Sequence, residues 1–114
     1  MTDFKFLHKI HVTHWKIGKI VEVAWAIRAN HGGGYQYRLC KMPNNEEGRK
    51  ALTEECFQKT PLKFVGDVQW LQWGEDESTR HEIEAVRTNE GTIPAGSYWT
   101  KNPVPACAGE ICTF

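Results

Sequence analysis

The sequence lacks any apolar run approaching the roughly 20 residues of a membrane-spanning helix. Its opening, MTDFKFLHKIHVTHW, is broken by charge before a signal-peptide apolar region of roughly 7 to 15 residues could form. Neither a membrane anchor nor an export signal is therefore expected in the chain as it stands. An excess of charge of one sign is also missing: 14 Lys and Arg balance 14 Asp and Glu. With no basic run carrying interleaved aromatics, nothing draws the protein to nucleic acid, and neither nucleic acid nor membrane is expected as a partner. There is no GxSxG elbow and no phosphate-binding glycine loop. HGGGY at residues 31–35 resembles an esterase oxyanion stretch but has no nucleophilic serine to serve. Cysteines are few, and Cys40, Cys56, Cys107 and Cys112 include no CxxC pair and no zinc-module spacing. A disulfide framework fits them better, which implies an oxidising compartment. Set against the missing export signal, that predicts an incomplete chain.

What the sequence does have is short alternating runs. At 114 residues it has the size of one domain with a modest core. In KIVEVAWAIR, residues 19–28, Val21, Val23, Trp25 and Ile27 occupy alternate positions, the period of a half-buried strand. YQYRLC continues the alternation with Tyr35, Tyr37 and Leu39, and the intervening NHGGG supplies turn chemistry. Strands are predicted near 19–28, 34–40, 67–73, 81–88 and 97–100. MPNNEEGRK is polar and turn-rich and reads as a surface loop, while ALTEECFQK predicts one short helix near 50–57. Short strands at close intervals bounded by Gly, Pro, Asn and Asp predict an all-β fold, an antiparallel sandwich or barrel. Trp25, Trp70, Trp73 and Trp99 are first of all candidates for packing between sheets.

One motif is more specific. The strings VEVAWAIRANHGGGYQYRLCK, LTEECFQKTPLKFV and TIPAGSYWTKNPVP together resemble the lytic polysaccharide monooxygenase-like proteins, related to chitin- and cellulose-active copper enzymes with a histidine brace. The resemblance covers residues 15–105, and its most distinctive residues are Asn30, His31, Gly34, Tyr35, Tyr37, Leu39 and Cys40. It implies an immunoglobulin- or fibronectin III-like sandwich over residues 15–114, preceded by a leader at 1–14. It further implies secretion, a polysaccharide surface as the partner, copper as the cofactor and a monomeric protein.

Residue by residue, the resemblance makes His31 a copper ligand, Tyr35 and Tyr37 substrate-binding residues, and Cys40–Cys56 a disulfide. Copper favours imidazole nitrogen, and glycines beside the ligand would lift it clear of bulky neighbours. The family's other brace ligand is a histidine at the mature amino terminus, whereas this chain begins at Met1. The resemblance therefore implies copper-dependent oxidative cleavage of chitin, cellulose or a related glycan by a domain of which this chain holds the middle, and no catalytic residue is assigned within it. The alternative is a non-catalytic carbohydrate-binding or structural sandwich.

Other candidates are weaker. His8, His11 and His14 are spaced by three, which in a strand points successive members to opposite faces. Glu82 and Glu84 could suggest a glycosidase pair, but that chemistry needs two carboxyl groups across a cleft, and HEIEAVRTN reads as a solvated strand with His81 at its start.

Overall fold

A computed structural model of the chain describes residues 12–105. His8 and His11 of the leader, and Cys107 and Cys112 with any pairing between them, lie outside the described residues. Within those bounds the protein is all-β and antiparallel, with helix confined to one segment. Strands β1 (Gly34–Tyr35), β2 (Val68–Trp73), β3 (Asp76–Glu84), β4 (Arg87–Thr88) and β5 (Trp99–Lys101) form two sheets. One is β1-β5-β4 with β5 at its centre, and the other is the β2-β3 hairpin.

The hairpin follows from VQWLQW, six residues rich in strand formers, folding back at Gly74 and Glu75 onto DESTRHEIE. Val68, Gln69, Trp70 and Leu71 face Glu84, Ile83, Glu82 and His81 in unbroken register, which then shifts before Trp73 meets Asp76. The shift is a bulge in β3. Ser78 bonds Asp76 Oδ1 through both its N–H and its hydroxyl, and Thr79 Oγ1 accepts the Trp73 N–H at 2.9 Å. This side-chain bonding extends the strand back through DESTR, whose polar residues give no apolar alternation, and β3 starts five residues before the predicted strand.

β3 hands over to β4 across Ala85 and Val86. The Ala85 N–H still bonds the Asp67 carbonyl next to β2, whereas the Val86 carbonyl accepts from the N–H of Lys101, the last residue of β5. Tyr35 Oη on β1 donates to Gln69 Oε1 on β2 at 2.8 Å, a second tie between the sheets. Arg87 spans the same gap: its guanidinium lies 4.9 Å from the Phe64 ring centroid and donates to the Gly66 carbonyl and to Thr100 Oγ1.

The strand predicted over 19–28 is not formed. No backbone ladder reaches it from any described residue, and Val23, Trp25 and Ile27 keep 39–45 % of their surface exposed. Alternation gives a segment one apolar side, but a strand also needs a neighbour to bond, and no described strand bonds to it. Side chains hold the segment instead. Glu22 makes a two-point ion pair with Arg80 of β3, at 2.8 and 3.0 Å. Arg80 in turn sits 5.0 Å from the Trp70 ring centroid, and Trp25 packs 5.2 Å from Tyr35. The run predicted at 34–40 is a ladder only at Gly34–Tyr35, followed by one isolated bridge between Arg38 and Pro61.

The predicted helix divides into a 3-10 turn at Gly48–Ala51 and α1 at Glu54–Gln58. Thr53 causes the break: its side chain accepts the Cys56 N–H at 3.1 Å and caps α1, and Glu54 and Glu55 complement the positive end of the helix. Cys56 on α1 is disulfide-bonded to Cys40, with Cα atoms 5.4 Å apart. No apolar side chain among the described residues is fully buried; the residues with almost no exposed surface are Thr100, Asn102 and Gly48.

Two outcomes follow. Cys40→Ser combined with Cys56→Ser frees a loop of 16 residues' separation and should lower unfolding free energy by about 3 kcal/mol on the chain-entropy estimate; a urea midpoint unchanged from wild type would contradict this. For Glu22, the hydrogen bond and charge of Arg80 hold the carboxyl below its ordinary value of 4.5. A depressed folded-state pKa contributes stability above the ordinary value and loses it as pH falls through the depressed one. The stability advantage of wild type over Glu22→Gln should thus be complete at neutral pH and fade below 4.5; an advantage constant down to acid pH would show that the ion pair is not its source.

Candidate functional site

His31 stands on the turn that leads into β1, and the turn is built by two asparagines. Asn30 Oδ1 accepts the Gly32 N–H at 3.1 Å and the Asn102 side-chain amide at 2.8 Å, while Asn30 Nδ2 donates to the carbonyls of Val104 and Pro105 at 3.1 and 2.7 Å. Asn102 replies through its backbone, whose N–H donates to the Gly33 carbonyl at 2.8 Å, and through Oδ1, which accepts the Val104 N–H at 3.0 Å. Asn102 is 8 % exposed. A carboxamide offers donors and an acceptor at one end of a short side chain, and both sets are used at each residue. Aspartate could not make the donations and alanine could make none of the bonds.

The glycines then divide the work. Gly32 and Gly33 adopt φ of 79° and 81°, a region costly for residues with a Cβ. Gly34 is set by proximity rather than angle: a Cβ there would come within 2.8 Å of the Thr100 carbonyl oxygen. The turn is thereby pressed against β5. His31 is exposed on it, and neither ring nitrogen bonds a described residue. Its imidazole is exposed while the backbone on either side of it is held.

Tyr35 and Tyr37, predicted to bind substrate, are half-buried in an aromatic cluster. Their ring centroids lie 6.0 Å apart, and Phe64 is 5.7 Å from Tyr35 and 6.5 Å from Tyr37. With Trp25 these rings make edge-on or tilted contacts, the favoured aromatic geometry. Burial pushes both phenol groups above their ordinary pKa, so they stay protonated at neutral pH. The rings support the sheet behind the turn. The more exposed aromatics are elsewhere: Trp73 at the hairpin tip (77 %) and Tyr98 before β5 (55 %).

A cleft of about 500 Å³ opens beside the turn, its lining including Gly33, Gly34, Trp99, Lys101, Thr88 and Ile93. The other described histidines, His14 and His81, do not converge on this place. His81 lies exposed on β3, its Nδ1 3.2 Å from the Thr79 carbonyl, with Glu82 and Glu84 also exposed on that strand, and His14 is exposed in the leader. Among the described residues no three His, Cys, Asp or Glu side chains gather into a group that could hold a metal. Sequence reasoning singled out His31 and placed Asn30 in the same motif without a structural role, and it gave no role to Asn102. Asn30 had a local signal, since Asn followed by Gly two residues on is Asx-turn chemistry. Asn102 had none, because its partner lies 72 residues away.

Comparison with models of known families, with curated proteins and with solved structures returned no match.

The exposed imidazole and its buried clamp should separate cleanly in unfolding measurements. His31→Ala should change stability by less than about 0.5 kcal/mol, as a surface substitution does. Asn102→Ala should cost about 1 to 3 kcal/mol by leaving the Val104 N–H without its partner and Asn30 Oδ1 with the Gly32 N–H alone. Equal effects of the two substitutions would contradict this division.

Proposed function

We propose that this chain belongs to a lytic polysaccharide monooxygenase-like β-sandwich in which His31 is one ligand of a copper site facing a polysaccharide surface. The observation that carries the reading is the exposed imidazole of His31, which bonds no described residue, on a glycine turn locked by Asn30 and Asn102. Imidazole nitrogen suits copper, and ligands work best when surrounding hydrogen bonds fix their approach. Here the fixing bonds act on the backbone either side of the ligand. One imidazole is one ligand, so the other nitrogens of a brace would come from an amino-terminal histidine outside residues 12–105. Copper, when bound, would supply one-electron chemistry and activation of oxygen or peroxide next to a glycosidic bond.

The chain's own residues do the rest. The Asn30–Asn102 clamp sets where the imidazole projects, and the aromatic cluster of Trp25, Tyr35, Tyr37 and Phe64 stiffens the sheet behind it. The cleft starting at Gly33 gives a sugar chain a place to lie, with the indole of Trp99 for apolar contact and Lys101 and Thr88 for hydrogen bonds. Secretion accords with the disulfide between Cys40 and Cys56. A second reading, a non-catalytic carbohydrate-binding sandwich, is favoured by the exposed rings of Trp73 and Tyr98, since aromatic faces stack on sugars without any metal.

Copper(II) titration of the full chain by calorimetry, with sedimentation on chitin and on cellulose, tests both. The copper reading expects His31→Ala to weaken copper binding at least tenfold, about 1.4 kcal/mol, with retention on the glycan unchanged. Copper affinity that survives His31→Ala would overturn the metal assignment and leave the binding module, and failure to sediment with either glycan would overturn both readings.

A further inference from the structure

Among the described residues β2 has one partner strand, β3, and one edge that no other strand meets. The Ala85 N–H bonds the Asp67 carbonyl at 2.8 Å, and the register places Gln69 opposite Ile83 and Leu71 opposite His81. In an antiparallel ladder the residues that exchange hydrogen bonds alternate with those that do not. Asp67, Gln69 and Leu71 therefore turn their backbone groups toward β3. Val68, Trp70 and Gln72 turn theirs outward, and no backbone bond from a described residue meets them.

Open edges are ordinarily guarded by charge or proline. β3 is so guarded, with Asp76, Glu77, Arg80, Glu82 and Glu84 among its nine residues. β2, VQWLQW, has neither a charge nor a proline and combines strand-forming residues with exposed apolar surface, Trp70 at 48 % and Trp73 at 77 %. Such a segment is a template for another strand.

We propose that the outer edge of β2 pairs antiparallel with β2 of a second copy of this chain, making one continuous sheet β3-β2-β2-β3 across a two-fold axis, in place of the monomer that the family resemblance implies. The strand is suited to its own copy. A two-fold axis through the Trp70 pair sets Val68 opposite the partner strand's Gln72 position and Gln69 opposite its Leu71 position. All three outward-facing residues of each copy then enter hydrogen-bonded pairs, and no like charges meet. Centring on Leu71 instead would push Val68 against the Gly74 turn. The two copies carry formal net charge +0 at neutral pH, so no long-range repulsion opposes approach. Pairing of two six-residue edges is a small interface, of the size found in weak complexes.

Sedimentation velocity on the full chain, from about 1 to about 100 μM, should show a monomer passing to a dimer. Val68→Pro removes an outward N–H and leaves the bonds to β3 in place, since proline is tolerated at such edge positions; it should weaken dimerisation at least tenfold with the far-ultraviolet spectrum unchanged. Trp70→Lys retains every backbone donor but sets two cations face to face at the axis, and should weaken it at least as much. If Val68→Pro fails to fold, Trp70→Lys decides. A monomer throughout the concentration range would overturn the proposal, including one in which the Trp70 N–H is protected from exchange because another segment covers the edge. A dimer indifferent to both substitutions would overturn it equally.

Discussion

Asn30 and Asn102 meet through an amide-to-amide hydrogen bond of 2.8 Å, and the geometry of the glycine turn depends on it. The bond joins the residue before His31 to the end of β5, so the turn cannot shift without disturbing the central strand of its sheet. A buried amide must find partners or bear the full cost of desolvation. Because Asn102 is nearly inaccessible and each carboxamide uses donors and acceptor together, alternative positions of the turn are penalised. Gly32 and Gly33 make the path sterically possible, and Gly34 allows β1 to close on Thr100. Exposure of the histidine and burial of its support are thus two consequences of one arrangement.

Elsewhere the described residues are held with little apolar burial. No apolar side chain among them is fully enclosed, so the usual hydrophobic term is spread over partly covered aromatics. Trp25, Tyr35, Tyr37 and Phe64 form one cluster, and Arg80 and Arg87 spread their guanidinium groups over Trp70 and Phe64, a contact that covers ring surface and gains from the ring's charge distribution. The disulfide ties α1 to the end of the tyrosine run, constraining the unfolded chain where the folded one has few contacts. Among the described residues the charge-free β2 has one edge that no strand meets, while the charges that would guard it lie on its partner strand.

How far all this was legible varies with the range of the interaction. VQWLQW read as a strand because its residue types favour one, and it is β2; the short helix was legible from ALTEECFQK, although the Thr53 cap that splits it was not. The cysteine pairing came from family resemblance rather than spacing, and the structure forms it. Residues 19–28 misled because alternation reports which side is apolar and says nothing of whether a neighbouring strand exists. The first half of β3 was missed for the opposite reason: its polar residues give no pattern, and the bulge bonds of Asp76, Ser78 and Thr79 hold it in place. His31 stood out through its glycines. The far half of its clamp was invisible, since Asn102 sits beside prolines with nothing nearby to mark a partner 72 residues back.

The claim on which the account rests is that the Asn30–Asn102 clamp holds the His31 turn against β5. Amide hydrogen exchange read residue by residue on the full chain tests it most directly, because the Gly32 N–H bonds Asn30 Oδ1 and the Asn102 N–H bonds the Gly33 carbonyl. The account predicts that both amides exchange as slowly as those of β5, and that Asn30→Ala speeds both by at least tenfold with the β2-β3 hairpin unaffected. Exchange of these two amides at the rate of an open loop in the unaltered protein would contradict it.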